Sequence, residues 1–423
     1  MMSQSSNSTI ESLKTSLPKD REKCSPSIHI FFNPSSGGNQ GKDLLSAQTR
    51  SLKIPAGIMD DVTIRMWDIR TGESGKKPGF LRIKEESTNS TCHLPPAIRV
   101  IAAGGDGTVM WVISEALLHN LTNADVVFGT IPFGTGNDYS HAFGWGQGIR
   151  GRLLTRNLRQ LRRLTRQWLA ADIVSHDIWR VTIALEPQTG RVLSWKDKEL
   201  TPLKIDEAGN IFTKLMSNYF SIGVESKVGL DFDKRRTKAK LLNKLVYATQ
   251  GLKNYGGSNK KIDSVLESCT EDADLLFVTD AGSGSPSLRG HPSSLLFLNI
   301  NSFAGGLNPW PHATHTGLRP RMKSKTFGDQ ATGDGKIEVM TYRSLGTIGG
   351  EQMRMGALTG HARRVAQSRG PFLLRFKKLP NKGRVYMQVD GEYYAVEHPR
   401  SVRIEHMYTV KVMKRVRPRE QKR

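Results

Sequence analysis

The sequence predicts two domains: an α/β N-terminal domain built on a mostly parallel sheet, and a β-rich second domain. Three observations predict this. Short apolar runs at Ile28–Phe32, Ile98–Ala103 and Asp125–Ile131 each stop at a loop of small polar residues, with helical patterns between them. From about Asp177 the helical patterns thin out and strand-length alternations follow one another. At 423 residues the chain is also too long for one ordinary core.

Residues 1–26 are Ser-rich and polar and read as a disordered lead-in. The Ile28–Phe32 strand then runs into Asn33-Pro34-Ser35-Ser36-Gly37-Gly38, where backbone N–H and hydroxyl groups suit phosphate oxygens. This loop is not a P-loop: Ser36 stands where that motif needs Gly, and Asp43 where it needs Ser or Thr. Asp61–Ile69 predicts a further strand, and Arg70–Pro96, rich in Gly, Lys, Ser and Thr, predicts a surface loop. The second junction is Gly104-Gly105-Asp106-Gly107-Thr108, followed by a helix from near Thr108 to Leu118. Its glycines let backbone approach a ligand closely, and the helix aims unpaired N–H groups at the turn. A phosphate fits there, and Asp106 beside it calls for a metal ion or a proton. The third junction, Pro132-Phe133-Gly134-Thr135-Gly136-Asn137-Asp138, is of the same kind. Ligands of open parallel sheets collect outside the carboxyl ends of the strands, so the three loops are expected to converge on one nucleotide.

Arg150–Trp168 predicts a basic amphipathic helix with Leu154, Leu158 and Leu161 on one face. It either covers the sheet with a solvated outer side or meets an anionic membrane. Beyond it, strands are expected at 178–185, 192–195, 217–224, 275–279, 294–301, 336–342, 372–377, 385–389 and 401–405. Helices are expected at 240–252 and 347–363, and loops at 200–210 and 281–292. The resulting domains are 27–175 and 176–412, with a basic tail at 413–423.

A formal net charge of +23, from 62 basic and 39 acidic residues, favours phosphate-rich partners. Nucleic acid is not expected, because the aromatics are spread thinly rather than interleaved with basic residues on one module. No window approaches the roughly 18 consecutive apolar residues of a membrane span, and the N-terminus lacks the order of a signal peptide. A cytoplasmic protein, peripherally associated with membranes, is the expectation. Cys24, Cys92 and Cys269 form no CxxC pair, and His312 and His315 lie in a Pro-rich turn without partner ligands, so zinc is not indicated.

In the second domain, Gly333-Asp334-Gly335 and Val389-Asp390-Gly391-Glu392 are acid-glycine turns, each of which alone reads as an ordinary β-turn. Taken with the rest they do not stand alone. The segments N-P-S-S-G-G at 33–38, A-G-G-D-G-T-V at 103–109 and P-F-G-T-G-N-D at 132–138 resemble the catalytic domain of diacylglycerol kinases. Residues 218–224, 298–302, 333–339 and 387–392 resemble the accessory domain of the family's eukaryotic members, in the family's order. Phe133 stands where Leu or Met is usual, and the sequence holds no C1 or EF-hand module.

That resemblance implies a lipid kinase that uses MgATP to phosphorylate the free hydroxyl of diacylglycerol. It implies a first domain folded like NAD kinases and phosphofructokinases, a β-rich sandwich after it, and an active site in the cleft between them. Carried over by motif, Asn33, Ser36, Gly37, Gly104, Gly105, Gly107, Thr108, Gly134, Thr135 and Asn137 would bind ATP. Asp106 would lie near the phosphates, and Asp334 would hold a Mg2+ ion with Asp106 near it. Asp138 would pair with Glu392, the expected general base for the lipid hydroxyl. Membrane recruitment would fall to basic segments: the predicted helix, 234–240 and the tail. The rival readings are a related kinase for sphingosine, ceramide or monoacylglycerol, a basic nucleic-acid-binding protein, and a catalytically silent membrane scaffold. Gly104 and Thr108 argue against the sphingosine type.

Overall fold

A computed structural model describes residues 26–35, 40–47, 52–54, 62–89, 98–149, 152–154, 157–206, 208–234, 261–280, 284–313, 315–319, 327–344, 347–348, 362–380 and 383–416. The first half is built on four parallel strands, lying side by side in the order Val62–Asp68, Ser27–Phe32, Ile98–Gly104 and Val126–Pro132. Leu52–Ile54 adds an antiparallel edge. Three of the four strands are apolar almost throughout because both faces are covered. Helix Asp106–Leu118 buries Val109, Met110, Val112, Ile113 and Ala116.

A second helix, Pro78–Thr88, occupies the region that composition predicts as a surface loop. Pro78 sits at its start, where a missing N–H costs nothing, and Phe80 and Ile83, three apart, enter the core. The basic helix is shorter than predicted: it spans Arg159–Leu169, and Leu158 before it has left-handed backbone. Its buried face is Leu161, Leu164 and Trp168 rather than Leu154, Leu158 and Leu161. Arg162, Arg163 and Arg166 face solvent.

The second half is a sandwich. One layer is a nine-stranded sheet in the order 315–316, 363–368, 337–342, 294–298, 219–223, 384–389, 392–397, 191–196, 199–202. The facing layer contains the long antiparallel pair Asp172–Leu185 and Pro399–Lys414. Trp179, Val181 and Ile183 of the pair share a core with Phe220, Ile222 and Phe297 of the nine-stranded sheet.

Both internal domain limits drawn from sequence fall within that long pair. The cut at 175/176 falls inside the Asp172–Leu185 strand, and the cut at 412/413 falls inside Pro399–Lys414. The final strand leaves the sandwich and enters the first domain, where Val412 pairs in parallel with Phe128. Val410, Val412 and Met413 belong to the first domain's core. Met413 and Lys414 are therefore strand, not tail.

Elsewhere the differences are local. Glu199–Pro202 and Ser287–Leu288 are short strands within or overlapping predicted loops, and Arg363 begins strand Arg363–Ser368 instead of ending a helix. Helix Val224–Asp233 and strand Leu266–Glu271 have no counterpart in the sequence reading. Expectations for 1–25, 235–240, 240–252, 349–361 and 417–423 lie outside the described residues. Among the described residues, no helix is long and apolar enough to cross a membrane.

Candidate active site

Parallel neighbours end on the same edge of a sheet, so the three glycine-rich loops leave from one rim. Asn33 N–H donates to Ala103 O at 3.3 Å, and the N–H groups of Phe133 and Gly134 both reach Gly104 O, at 2.9 and 3.3 Å. The second and third loops touch so closely that a Cβ on Gly134 would lie 2.6 Å from the Gly105 Cα. A Cβ on Gly104 would meet the Thr108 hydroxyl oxygen at 2.2 Å. Thr108 is therefore buried under the turn and supports it.

The other nucleotide-side expectations divide in the same way. Asn33 Oδ1 accepts from Ser35 N–H at 2.9 Å and shapes the first loop. Ser36 and Gly37 lie outside the described residues. Asn137, in left-handed backbone, donates its amide to Gly134 O at 2.9 Å and Gln147 O at 2.7 Å, which closes the third loop. Its Oδ1 is buried, has no partner among the described residues, and lies 2.5 Å from where a Gly134 Cβ would be. Thr135 and Gly136 form the crest of that loop. Gly107 faces open space on the side of Glu392, whose Oε1 is 3.8 Å from a hypothetical Gly107 Cβ.

Asp106 opens the helix, and its carboxylate turns toward the third loop. It accepts Asp138 N–H at 3.1 Å and Tyr139 N–H at 2.8 Å, and Asn218 of the second domain bonds to it as well. Burial, then the nearby charge of Asp138, hold the Asp106 carboxyl well above the ordinary aspartate range. Asp138 itself is buried and fully engaged. Its Oδ2 accepts the Tyr219 hydroxyl at 2.9 Å; its Oδ1 accepts the Ser302 hydroxyl at 2.6 Å and the N–H groups of Gly305 and Gly306 at 2.9 and 3.1 Å.

The expected Asp138–Glu392 pair is thus replaced by an Asp106–Asp138 pair. Every side-chain partner of Asp138 comes from the second domain's loops and strands, which leave no place for a second-domain carboxylate. Glu392 instead pairs with Lys214 and accepts the Tyr394 hydroxyl at 2.8 Å. Its side chain is 49% exposed, which leaves it open to the cleft. The neighbouring Asp390 is no ordinary turn residue. Its carboxyl accepts the N–H groups of Ser217, Asn218 and Tyr219 at 2.7, 2.7 and 3.0 Å, and burial pushes it up to about 7.

Asp334 belongs to a different network. Its Oδ1 accepts Lys336 N–H at 3.0 Å within its own turn, and the next residue, Gly335, donates to Asp177 Oδ2 at 2.7 Å. Asn299 bonds Asp177 O and Ser217 O and so links this network to the strand that precedes Asn218. Among the described residues no direct hydrogen bond links the Asp334 turn to Asp106. Among the described residues no group of three or more His, Cys, Asp or Glu side chains could hold an ion. The donor set still suits Mg2+ carried in by a nucleotide, which needs only one or two carboxylates beside phosphate and water oxygens. Asp106 at the helix N-terminus is placed as such a carboxylate.

Sequence reasoning assigned no role to Lys214, Asn218, Tyr219, Ser302 or Asp390. The available signal was a polar interruption: Ser217-Asn218 just before the apolar Tyr219–Gly223 strand, and Asn299 just after Ser294–Leu298.

A phosphate-type cradle on an α/β rim, closed over by buried groups of a β-sandwich, defines a two-domain architecture with its chemistry in the cleft. The family models divide the chain in the same way: "Diacylglycerol kinase catalytic domain" matches residues 27–167, and "Diacylglycerol kinase accessory domain" matches residues 215–393. The chain belongs to the diacylglycerol kinase family, and its relatives are of the eukaryotic type. It is 28% identical to the eye-specific diacylglycerol kinase of Drosophila melanogaster, over 89% of this chain and 22% of that one. It is 26% identical to human diacylglycerol kinase iota, over 86% of this chain and 29% of the relative. Against diacylglycerol kinase 1 of Oryza sativa subsp. japonica the identity is 25%, over 93% and 80%. The chain spans from 22% to 34% of the length of the first curated relatives it matches.

Proposed function

We propose that this protein is an ATP-dependent diacylglycerol kinase, transferring the γ-phosphoryl group of MgATP to the free hydroxyl of diacylglycerol to form phosphatidic acid. The observation that carries the reading is the convergence of three strand-end glycine loops beneath side chains of the second domain, within a chain of this family. Backbone N–H groups of the loops and of the Asp106–Leu118 helix hold the phosphates. Asp106 would hold a Mg2+ ion brought with the nucleotide, which would neutralise charge on the phosphate oxygens. Glu392, partly open and next to Gly107, takes the hydroxyl proton. Lys214 leaves Glu392 for a phosphate oxygen as the nucleotide enters, which frees the carboxylate for that task. The exposed arginines of helix Arg159–Leu169 favour an anionic membrane surface.

Labelled ATP offered with a panel of lipids in mixed micelles tests the reaction. Label in phosphatidic acid is expected; label on sphingosine with none on diacylglycerol would overturn the reading. In the same assay Glu392→Gln should remove turnover while nucleotide affinity stays within about twofold. Near-normal turnover would take Glu392 out of its role.

A further inference from the structure

Four arginines meet at a corner of the second domain that the cleft does not use. Arg289 follows strand Ser287–Leu288, which pairs with Leu318–Arg319, so Arg319 lies opposite Ser287. Arg363 opens its strand opposite Thr341, two residues before Arg343. The Arg363 guanidinium donates to Arg289 O at 3.2 Å and lies 3.0 Å from where a Gly290 Cβ would be. Lys261 adds a fifth cation: its ammonium bonds the Ser293 hydroxyl at 2.9 Å and lies 3.4 Å from Arg343 O.

Nothing described answers this charge. Asp263, on the short helix after Lys261, is paired with His291. Among the described residues, Arg289, Arg319, Arg343 and Arg363 make no ion pair with a carboxylate. Among the described residues the buried Arg289 Nε has no hydrogen-bond partner. Burial, followed by Arg289, Arg343 and Arg319 in turn, lowers the pKa of Arg363. A buried donor without an acceptor and several neighbouring like charges both raise the free energy of the native chain, and one bound anion relieves both.

We propose that this corner is a binding site for a phosphate-type anion, gripped by planar guanidinium donors of Arg289, Arg319, Arg343 and Arg363. Guanidinium forks match phosphate oxygens two at a time, so the site selects phosphate over monovalent halide. It is separate from the cleft. Strand Ser294–Leu298 begins beside Arg343, where Ser293 N–H bonds Tyr342 O, and ends at Asn299 in the Asp177 network. Five residues of strand put roughly 15 Å between the two. The anion therefore acts as a second ligand, either as a free phosphate compound or as the headgroup of an anionic lipid.

The test uses the full chain with the nucleotide cradle saturated by a non-hydrolysable ATP analogue. Calorimetric titration with inorganic phosphate forms one arm. Co-sedimentation with phosphatidylcholine vesicles, with and without phosphatidic acid, forms the other. Saturable binding in either arm is expected, weakened about tenfold or more by Arg289→Gln with Arg363→Gln and unaffected by Lys196→Gln with Lys198→Gln, two exposed cations at another turn. Phosphate binding identifies a soluble ligand; vesicle binding alone identifies a headgroup. Without any anion, Arg363→Gln should melt no lower than the parent chain, because it removes repulsion. Non-saturating binding, equal loss in both double variants, or a lower melting point with phosphate binding intact would each overturn the proposal.

Discussion

Asp106 and Asp138 close neighbouring glycine loops and stand side by side, yet the protein holds them for opposite purposes. Asp106 is gripped mainly by backbone N–H groups of the loop beside it, at the mouth of a helix. Asp138 comes from the same domain, but its four side-chain donors all come from the other one. A carboxylate with four donors around it has little capacity left for a ligand; it is a clamp between domains. A carboxylate kept near a like charge, at a helix N-terminus beside a glycine turn, is stabilised by an arriving cation. The sequence presents both as the acid ending a Gly-rich loop, and only the origin of the donors separates mechanical from chemical use.

The largest effect follows from breaking the clamp. Asp138→Ala leaves two hydroxyls and two N–H groups facing a buried void, and should cost about 3–5 kcal/mol of stability in urea unfolding. A loss below about 1 kcal/mol would show that the donors find other acceptors and that the clamp is not one. Asp106→Asn is the complementary test. It keeps shape but turns one of two acceptor oxygens into a donor facing a backbone N–H, so stability should fall by about 1–3 kcal/mol, less than for Asp138→Ala, while phosphoryl transfer falls about 100-fold or more. If Asp106→Asn destabilised the fold as much as Asp138→Ala and spared turnover, the two roles would have to be exchanged.

Local features of this site were legible in the sequence, and non-local ones were not. The glycine loops are readable because strand, turn and helix start lie within a dozen residues, as at Ile98–Leu118. The partners of Asp138 are not readable as such: Tyr219 and Ser302 lie in segments that the family resemblance marks, but 81 and 164 positions away, and nothing local pairs them with Asp138. The same holds for the fold. Continuous apolar runs such as Val126–Pro132 announce buried strands, whereas Pro399–Lys414 is studded with charged residues on its exposed side. Counting those charges hid the alternation that carries Val410 and Val412 into the first domain's core. The Pro78–Thr88 helix was masked likewise, since two buried apolar side chains suffice where the sheet supplies the rest of the core.

Glu225 sharpens what a raised pKa alone means. It lies inside the second domain with Ser294 and Ser226 as hydroxyl partners, and burial pushes it from 4.5 to about 7. Below about 4.5 it is protonated in both folded and unfolded chains and contributes no pH dependence. Between 4.5 and about 7 the folded chain keeps a proton that the unfolded chain has lost, so stability falls as pH rises and levels off above about 7. That displacement amounts to roughly 3 kcal/mol. The stability of Glu225→Gln relative to the parent should therefore improve by up to that amount between pH 5 and 8. A pH-independent difference would show that Glu225 ionises normally.

The smallest change probes the clamp from its other side. Tyr219→Phe removes one of the four donors to Asp138 but keeps the ring, which packs edge-on against Phe303 at a centroid distance of 5.1 Å. One hydrogen bond to a charged acceptor, with three donors remaining, predicts a loss of about 1–2 kcal/mol. Because the deleted group holds a clamp and does not touch the Asp106 carboxylate, turnover per folded molecule should stay within a few-fold of the parent. The pairing with Asp138 is checked by combining Tyr219→Phe with Asp138→Asn. If both act through the same bond, the second substitution adds less than its effect alone. Full additivity in the unfolding free energies would mean that the tyrosine stabilises the second domain by itself, and Asp138 would then join the two domains through Ser302, Gly305 and Gly306.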